Sequence, residues 1–157
     1  MKVVVSLKDI IDEMDTLSDE ISGFLNRRTG ELVTLTSEEL SAAEDGDEED
    51  TGEYPDWQQE MIMKAGGVIG SDDYLLLPGK FDIHEYRIIE VFCYSLADDM
   101  IKENLLHKIK GSGAFRRFKD AIHEYGIEQE WYRFRQKELE KIAIEWLEAN
   151  QISYTKD

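Results

Sequence analysis

Apolar residues recur every three or four positions along the second half of the chain, which is the spacing of one face of an α-helix. The clearest apolar stripe covers residues 83–100 and includes Cys93. Asp82 is its predicted N-cap, with Glu85 three residues later as the capping-box partner and a staple between Phe81 and residue 86. We therefore predict a central, buried helix here.

Three more helices follow in this half of the chain. The first covers residues 99–109, and the Gly-Ser-Gly segment 111–113 separates it from the second. Gly126 is expected to end the second helix as its C′ residue. The third helix stops near Asn150, before a predicted edge strand at 152–154. The residues assigned to the buried faces of the second and third helices are Phe115, Phe118, Ile122, Tyr125, Ile127, Trp131, Phe134, Ile142 and Trp146.

The first half of the chain mixes short strands with short helices. Residues 3–5 predict a strand, after which Ser6 caps a helix. Residues 20–36 predict a β-hairpin whose turn, 26–30, contains Gly30, because glycine supplies the positive φ that such turns need. A further short helix is expected from Ser37.

A helix and a strand complete this half. Pro55 and Asp56 mark the helix start, and Trp57, Met61 and Ala65 are spaced to share one face until two glycines at 66 and 67 weaken the helix. Residues 74–77 form a β-type run that ends at a Pro-Gly pair.

These elements predict an α+β protein that is predominantly α, with short N-terminal strands and a β-hairpin packed on a C-terminal helical bundle. The length of 157 residues fits a single domain, 1–157. Within it we expect an N-terminal lobe at 1–78, a flexible acidic linker at 44–53 and a C-terminal helical lobe at 82–150.

Charge is segregated along the chain. The net charge is −17, with −18 in residues 1–100, +3 in residues 101–141 and −2 in residues 142–157. This excess of acid disfavours binding to nucleic acid and to anionic membranes. No apolar run is long enough for a membrane span or a signal h-region, and one cysteine cannot form an internal disulfide. We therefore expect a cytoplasmic protein.

Five segments are similar to a known family: residues 26–31, 74–78, 113–120, 131–134 and 143–147. Their order and spacing resemble a bacterial family of uncharacterised proteins, and the pair of Phe-Arg-Arg-Phe and Trp-Tyr-Arg-Phe segments is the most specific part of the resemblance. It implies a bacterial cytoplasmic protein and assigns no activity and no catalytic residue.

The basic segment contains candidate anion-binding residues. Backbone N–H groups at the start of a helix, together with nearby guanidinium groups, often hold an anion. The alternative is structural, with the aromatics between the arginines forming the core of a helical hairpin and the arginines facing water. The candidates are Ser112, Gly113, Arg116, Arg117, Lys119, Arg133 and Arg135.

No catalytic, metal or cofactor motif is complete. His84 and His123 each begin half of a zinc-protease motif, but isoleucine occupies the fifth position both times. The acidic segment 44–50 lacks the glycine and glutamate spacing of a calcium loop. The apolar neighbours of Cys93 place this thiol in the core. We predict no catalytic residue, no metal and no cofactor.

Three functions remain open. The first is a non-catalytic interaction or regulatory module with an unidentified protein partner. The second is an anion- or phosphate-binding protein or enzyme that uses the helical hairpin 113–135, with Glu124 or Glu128 handling protons. The third, which the net charge opposes, is nucleic-acid binding through the same hairpin.

Overall fold

A computed structural model describes residues 3–45, 54–80 and 82–156. Helices dominate and the strands are few and short, so the predicted α+β class with a predominance of helix is confirmed. In chain order the elements are β1 (Val4–Ser6), α1 (Leu7–Thr16), β2 (Ile21–Asn26), β3 (Leu32–Thr36), α2 (Ser37–Glu44), α3 (Asp56–Ile69), β4 (Tyr74–Leu76), α4 (Glu85–Ser95), α5 (Asp99–Lys108), α6 (Ala114–Glu124), α7 (Glu128–Ala149) and β5 (Ser153–Thr155).

The chain divides into two compact units. Unit 1 comprises residues 1–82 and 142–157, and unit 2 comprises residues 83–141. The end of α7 and β5 therefore group with the N-terminal residues. β5 pairs with β1, a contact between the two ends of the chain. The lobes at 1–78 and 82–150 stay a prediction. Beyond Asp45, the predicted acidic linker at 44–53 lies outside the described residues.

Unit 1 contains the predicted hairpin, which is confirmed. β2 pairs antiparallel with β3, with Ile21 opposite Thr36. The Asn26 side chain accepts hydrogen bonds from the backbone N–H groups two and three residues later, and Gly30 has a φ of +79°. β4 pairs with the other side of β2, giving the order β3-β2-β4, and β1 and β5 form a separate parallel pair.

α3 continues past the two glycines that were expected to weaken it, and one residue of its predicted buried face is exposed. The helix continues through Gly66 and Gly67 to Ile69. Each glycine costs about 1 kcal/mol relative to alanine, and burial of Val68 offsets that cost. Of the predicted face, Ala65 is buried and Met61 is partly buried against the core, whereas Trp57 in the first turn is 64% exposed. The core cluster on this side of unit 1 consists of Val33, Leu35, Ala65 and Val68.

α4 begins later than predicted. Its first residue is Glu85, and His84 occupies the N-cap position without a side-chain cap bond. Asp82, the predicted N-cap, accepts a hydrogen bond from the backbone N–H of Gly79 at 2.9 Å. An aspartate side chain can accept a hydrogen bond either from a nearby turn or from the first turn of a helix. Here the Asp82 carboxylate accepts from the turn that precedes α4, so it does not cap the helix. The staple residue Phe81 lies outside the described residues.

Unit 2, all of whose residues are described, consists of α4, α5, α6 and the first part of α7. Its core is aromatic. Phe118 and Trp131 meet edge to face with ring centroids 4.9 Å apart, and Phe92 lies 5.3 Å from Trp131. Such pairs contribute about 0.5–1.5 kcal/mol beyond area burial. The predicted burial of Phe118 and Trp131 is confirmed, and Phe134 is partly buried beside Phe92.

α6 and α7 end in the same backbone motif. After α6, Gly126 has a φ of +67°, and the N–H groups of Gly126 and Ile127 donate to carbonyls of the last turn. After α7, Gln151 and Ile152 make the equivalent bonds, with a φ of +58° at Gln151. Glycine adopts this left-handed conformation without a Cβ penalty. The predicted C′ role of Gly126 is confirmed.

Candidate functional site

Arg117 holds the loop between α5 and α6. Its Nε donates to the carbonyl of Lys108 at 2.7 Å, and its Nη1 and Nη2 donate to the carbonyls of Ser112 and Lys110, each at 2.6 Å. The last carbonyls of a helix have no intrahelical donor. The Arg117 guanidinium therefore supplies a donor to the carbonyl of Lys108, the last residue of α5, and to two carbonyls of the following loop. A Cβ on Gly113 would lie 2.9 Å from Nη1. Arg117 thus binds its own backbone.

Arg135 is held by an ion pair with Glu85. Its Nε donates to Glu85 Oε1 at 2.6 Å, and its Nη2 donates to Oε2 at 3.4 Å. Both side chains are partly buried, which strengthens a charge-assisted pair relative to one at the open surface. The pair joins the first turn of α4 to α7.

The two remaining arginines of the predicted anion-binding set lie at the surface. Arg116 and Arg133 are exposed, and Arg133 Nε donates to the carbonyl of Gln129 at 3.4 Å. Of the predicted anion-binding set, the structure brings two side chains, Lys119 and Arg135, to one concave surface.

That concave surface is a cleft of about 210 Å³ between α4, α6 and α7. We call it the aromatic cleft. Phe118 and Trp131 are buried, with 1% and 3% of their surface exposed, whereas Phe115 is 47% exposed and Tyr132 is 54% exposed. Two covered rings and two open rings therefore surround one space. Its lining residues are Glu85, Ile89, Phe115, Phe118, Lys119, Trp131, Tyr132 and Arg135.

The charges of the aromatic cleft do not cancel. Glu85 and Arg135 neutralise each other, and Lys119 is the third charged residue of the lining. Within the described part of the chain, the Lys119 ammonium has no carboxylate in salt-bridge range. The lining therefore carries a net charge of +1.

The prediction that Phe115 belongs to the core is wrong, because its side chain is 47% exposed. It lies in the first turn of α6, and it lines the aromatic cleft instead of filling the interior. Phe115 lies seven residues before the buried Ile122, a spacing that places both on the same face of α6. Whether a side chain at the end of a helix is buried depends also on which neighbouring helices extend over it. The sequence also gave no signal for Glu85 as the partner of Arg135, fifty residues away.

Cys93 lies in the core, as predicted. It is fully buried, and burial raises the pKa of its thiol to about 11. A thiol with this pKa is almost entirely protonated at neutral pH, and the thiolate is the nucleophilic form. Cys93 therefore acts as a small apolar side chain in unit 2.

The remaining titratable candidates are dispersed. His123 Nδ1 lies 2.7 Å from Glu128 Oε1, so one of the two proposed proton carriers already has a partner. Among residues 3–45, 54–80 and 82–156, no three His, Cys, Asp or Glu side chains are grouped to hold a metal ion. None of the helices in the described ranges is long and apolar enough to cross a membrane.

The fold and the site define a predominantly helical α+β protein with an aromatic-lined cleft in its helical unit. The chain belongs to the uncharacterised protein family UPF0158, whose model matches residues 2–157. The predicted resemblance to a family of uncharacterised proteins is thereby confirmed. Neither the curated proteins nor the solved structures contain a match to this chain.

Proposed function

We propose that this chain is a non-catalytic protein-interaction module and that the aromatic cleft receives a side chain of its partner. One observation carries the proposal: Phe115 and Tyr132 remain about half exposed beside the buried rings of Phe118 and Trp131. Aromatic residues around a small pocket are typical of the energetic centre of a protein interface.

The size of the aromatic cleft favours a side chain over a whole metabolite. Sites for small molecules and cofactors usually measure about 300–1,000 Å³, and this cleft measures about 210 Å³. Full burial of one large apolar side chain contributes about 1.5–3 kcal/mol. The cleft can therefore serve as the anchor point of a larger contact.

The two alternative functions have less structural support. An anion site built from the predicted arginines would compete with the three backbone carbonyls bound by Arg117 and with Glu85 bound by Arg135. Nucleic-acid binding would need a strongly positive surface, whereas unit 2 carries 11 basic and 11 acidic residues.

The cellular context is part of the proposal. We place the protein in the bacterial cytoplasm, where a lone reduced cysteine is normal. The net charge of −17 supports a soluble protein that avoids nucleic acid and anionic lipid surfaces.

The proposal is tested by photo-cross-linking in the source cell. A benzophenone amino acid replaces Tyr132, and a matched variant carries it at Tyr94, which is 64% exposed on α4 and does not line the aromatic cleft. We expect a discrete protein adduct from position 132 and none from position 94. Adducts from both positions alike, or from neither, would overturn the proposal.

A further inference from the structure

We infer, resting on the proposed function, that the aromatic cleft selects a partner segment in which a large apolar side chain lies next to a carboxylate. The apolar half of this inference comes from Phe115 and Tyr132, whose exposed faces line the aromatic cleft and are available to an apolar partner side chain. The charged half comes from Lys119, which lines the same cleft and has no ion pair within the described residues.

Charge complementarity sets the sign of the partner. Because Glu85 already pairs with Arg135, an incoming carboxylate meets the Lys119 ammonium, the cation of the lining that has no ion pair within the described residues. An incoming lysine or arginine would instead put two like charges side by side. Such complementarity governs the choice of partner more than the total affinity.

The occupant is a segment of another protein. A second copy of this chain would bring a net charge of −17 against −17, and this repulsion opposes self-association. A short acidic segment with one apolar residue carries its few carboxylates on a flexible backbone, so it can offer one of them to Lys119.

The selectivity is measured with short peptides and the full-length, ¹⁵N-labelled protein. Three blocked tripeptides serve as probes: Asp-Phe-Asp, Lys-Phe-Lys and Asp-Ala-Asp. Backbone amide shifts of Lys119 and Tyr132 report occupancy of the aromatic cleft. We expect Asp-Phe-Asp to bind roughly fivefold more tightly than Lys-Phe-Lys at about 0.15 M salt, where a Debye length of about 8 Å screens the net charge of −17 more than a pair in contact. This ratio should shrink at about 1 M salt, which also screens the pair with Lys119. Asp-Ala-Asp should bind the most weakly because it lacks the ring.

Two charge-reversal variants separate Lys119 from the general charge of the protein. Lys119→Glu should invert the preference, so that Lys-Phe-Lys binds more tightly than Asp-Phe-Asp. Lys137→Glu makes the same change at an exposed position of α7 outside the lining, and it should leave the preference unchanged. Equal effects of the two variants would overturn the assignment to Lys119.

The outcomes distinguish this inference from the proposed function. If both Phe-containing peptides shift the cleft amides equally, charge selection is wrong while the apolar anchor stands. If no peptide shifts these amides at millimolar concentration, the selectivity is refuted, and the cross-link at position 132 still tests the interaction module separately. Concentration-dependent shifts of the same amides without peptide would identify a second copy as the occupant and refute the inference.

Discussion

Unit 1 carries 24 acidic and 7 basic residues, whereas unit 2 carries 11 of each, so the whole net charge of −17 resides in unit 1. The cores of the two units also differ in the side chains that build them. The β3–α3 cluster of unit 1 is built from valine, leucine and alanine, while unit 2 is centred on the rings of Phe92, Phe118 and Trp131. The aromatic cleft lies in the neutral unit.

This difference separates two tasks. A large net charge keeps a protein soluble and repels copies of itself, but it gives little selectivity for a particular partner. Rings held by a rigid core can cover a partner side chain at a small entropic cost. In this account, unit 1 supplies the charge and unit 2 supplies the recognition.

The largest expected effect is on the aromatic core of unit 2. Phe118→Ala should lower the free energy of unfolding by about 3–5 kcal/mol, because it leaves a cavity beside Trp131 and Phe92. Urea unfolding followed by circular dichroism measures this change. Phe115→Ala is the control on the same helix, and it should cost no more than about 1 kcal/mol because the ring is half exposed. Equal losses would show that both rings serve stability alone.

A second effect concerns the loop that Arg117 closes. Arg117→Lys should lower the free energy of unfolding by about 2 kcal/mol, because one ammonium cannot reproduce three bonds from a planar fork. Arg116→Lys, the exposed neighbour, should change it by less than about 0.5 kcal/mol. If the two variants unfold at the same urea concentration, the bonds to the carbonyls of residues 108, 110 and 112 are not holding the loop.

Glycines of the two units should respond in opposite directions to the same substitution. Gly126→Ala in unit 2 should lower the free energy of unfolding by about 1 kcal/mol, because its φ of +67° places a Cβ in the left-handed region. Gly66→Ala in unit 1 should raise it by up to about 1 kcal/mol, since it lies inside α3 with no atom within 4 Å of the added Cβ. Melting temperatures measure both changes, and a common sign would contradict the assigned conformations.

The smallest effect is expected where α7 ends in unit 1. Gln151 occupies the position that Gly126 occupies after α6, with a φ of +58°. Gln151→Gly should therefore raise the free energy of unfolding by about 0.5 kcal/mol, as relief of the left-handed strain exceeds the added entropy of the unfolded chain. A clear loss of stability would mean that the glutamine side chain stabilises this helix end.

Local signals made much of the fold predictable. The hairpin followed from the turn at 26–30, and the end of α6 followed from Gly126, because both depend on residues close together in sequence. β5 was predicted as an edge strand, but its partner β1 could not be predicted, since that pairing joins opposite ends of the chain. Asp82 shows the limit of local signals, because two nearby turns compete for one carboxylate.

The candidate site was less predictable because it depends on contacts between different helices and loops. The sequence indicated an arginine-rich helical hairpin, but the partners of Arg117 and Arg135 decide what these side chains do, and those partners are loop carbonyls and a glutamate on another helix. The half-exposed state of Phe115 depends on which helices cover the first turn of α6. Neither the partners of these arginines nor the exposure of Phe115 can be predicted from the spacing of residues along one helix.

The most direct test of the central claim compares cross-linking at position 132 in two backgrounds. Phe115→Ala removes a ring of the aromatic cleft, and Val91→Ala removes apolar surface of similar exposure, 43% against 47%, at a position outside the lining. Our account predicts that the position-132 adduct is lost in Phe115→Ala and retained in Val91→Ala, with both variants folded. The same adduct yield in both backgrounds would contradict the account.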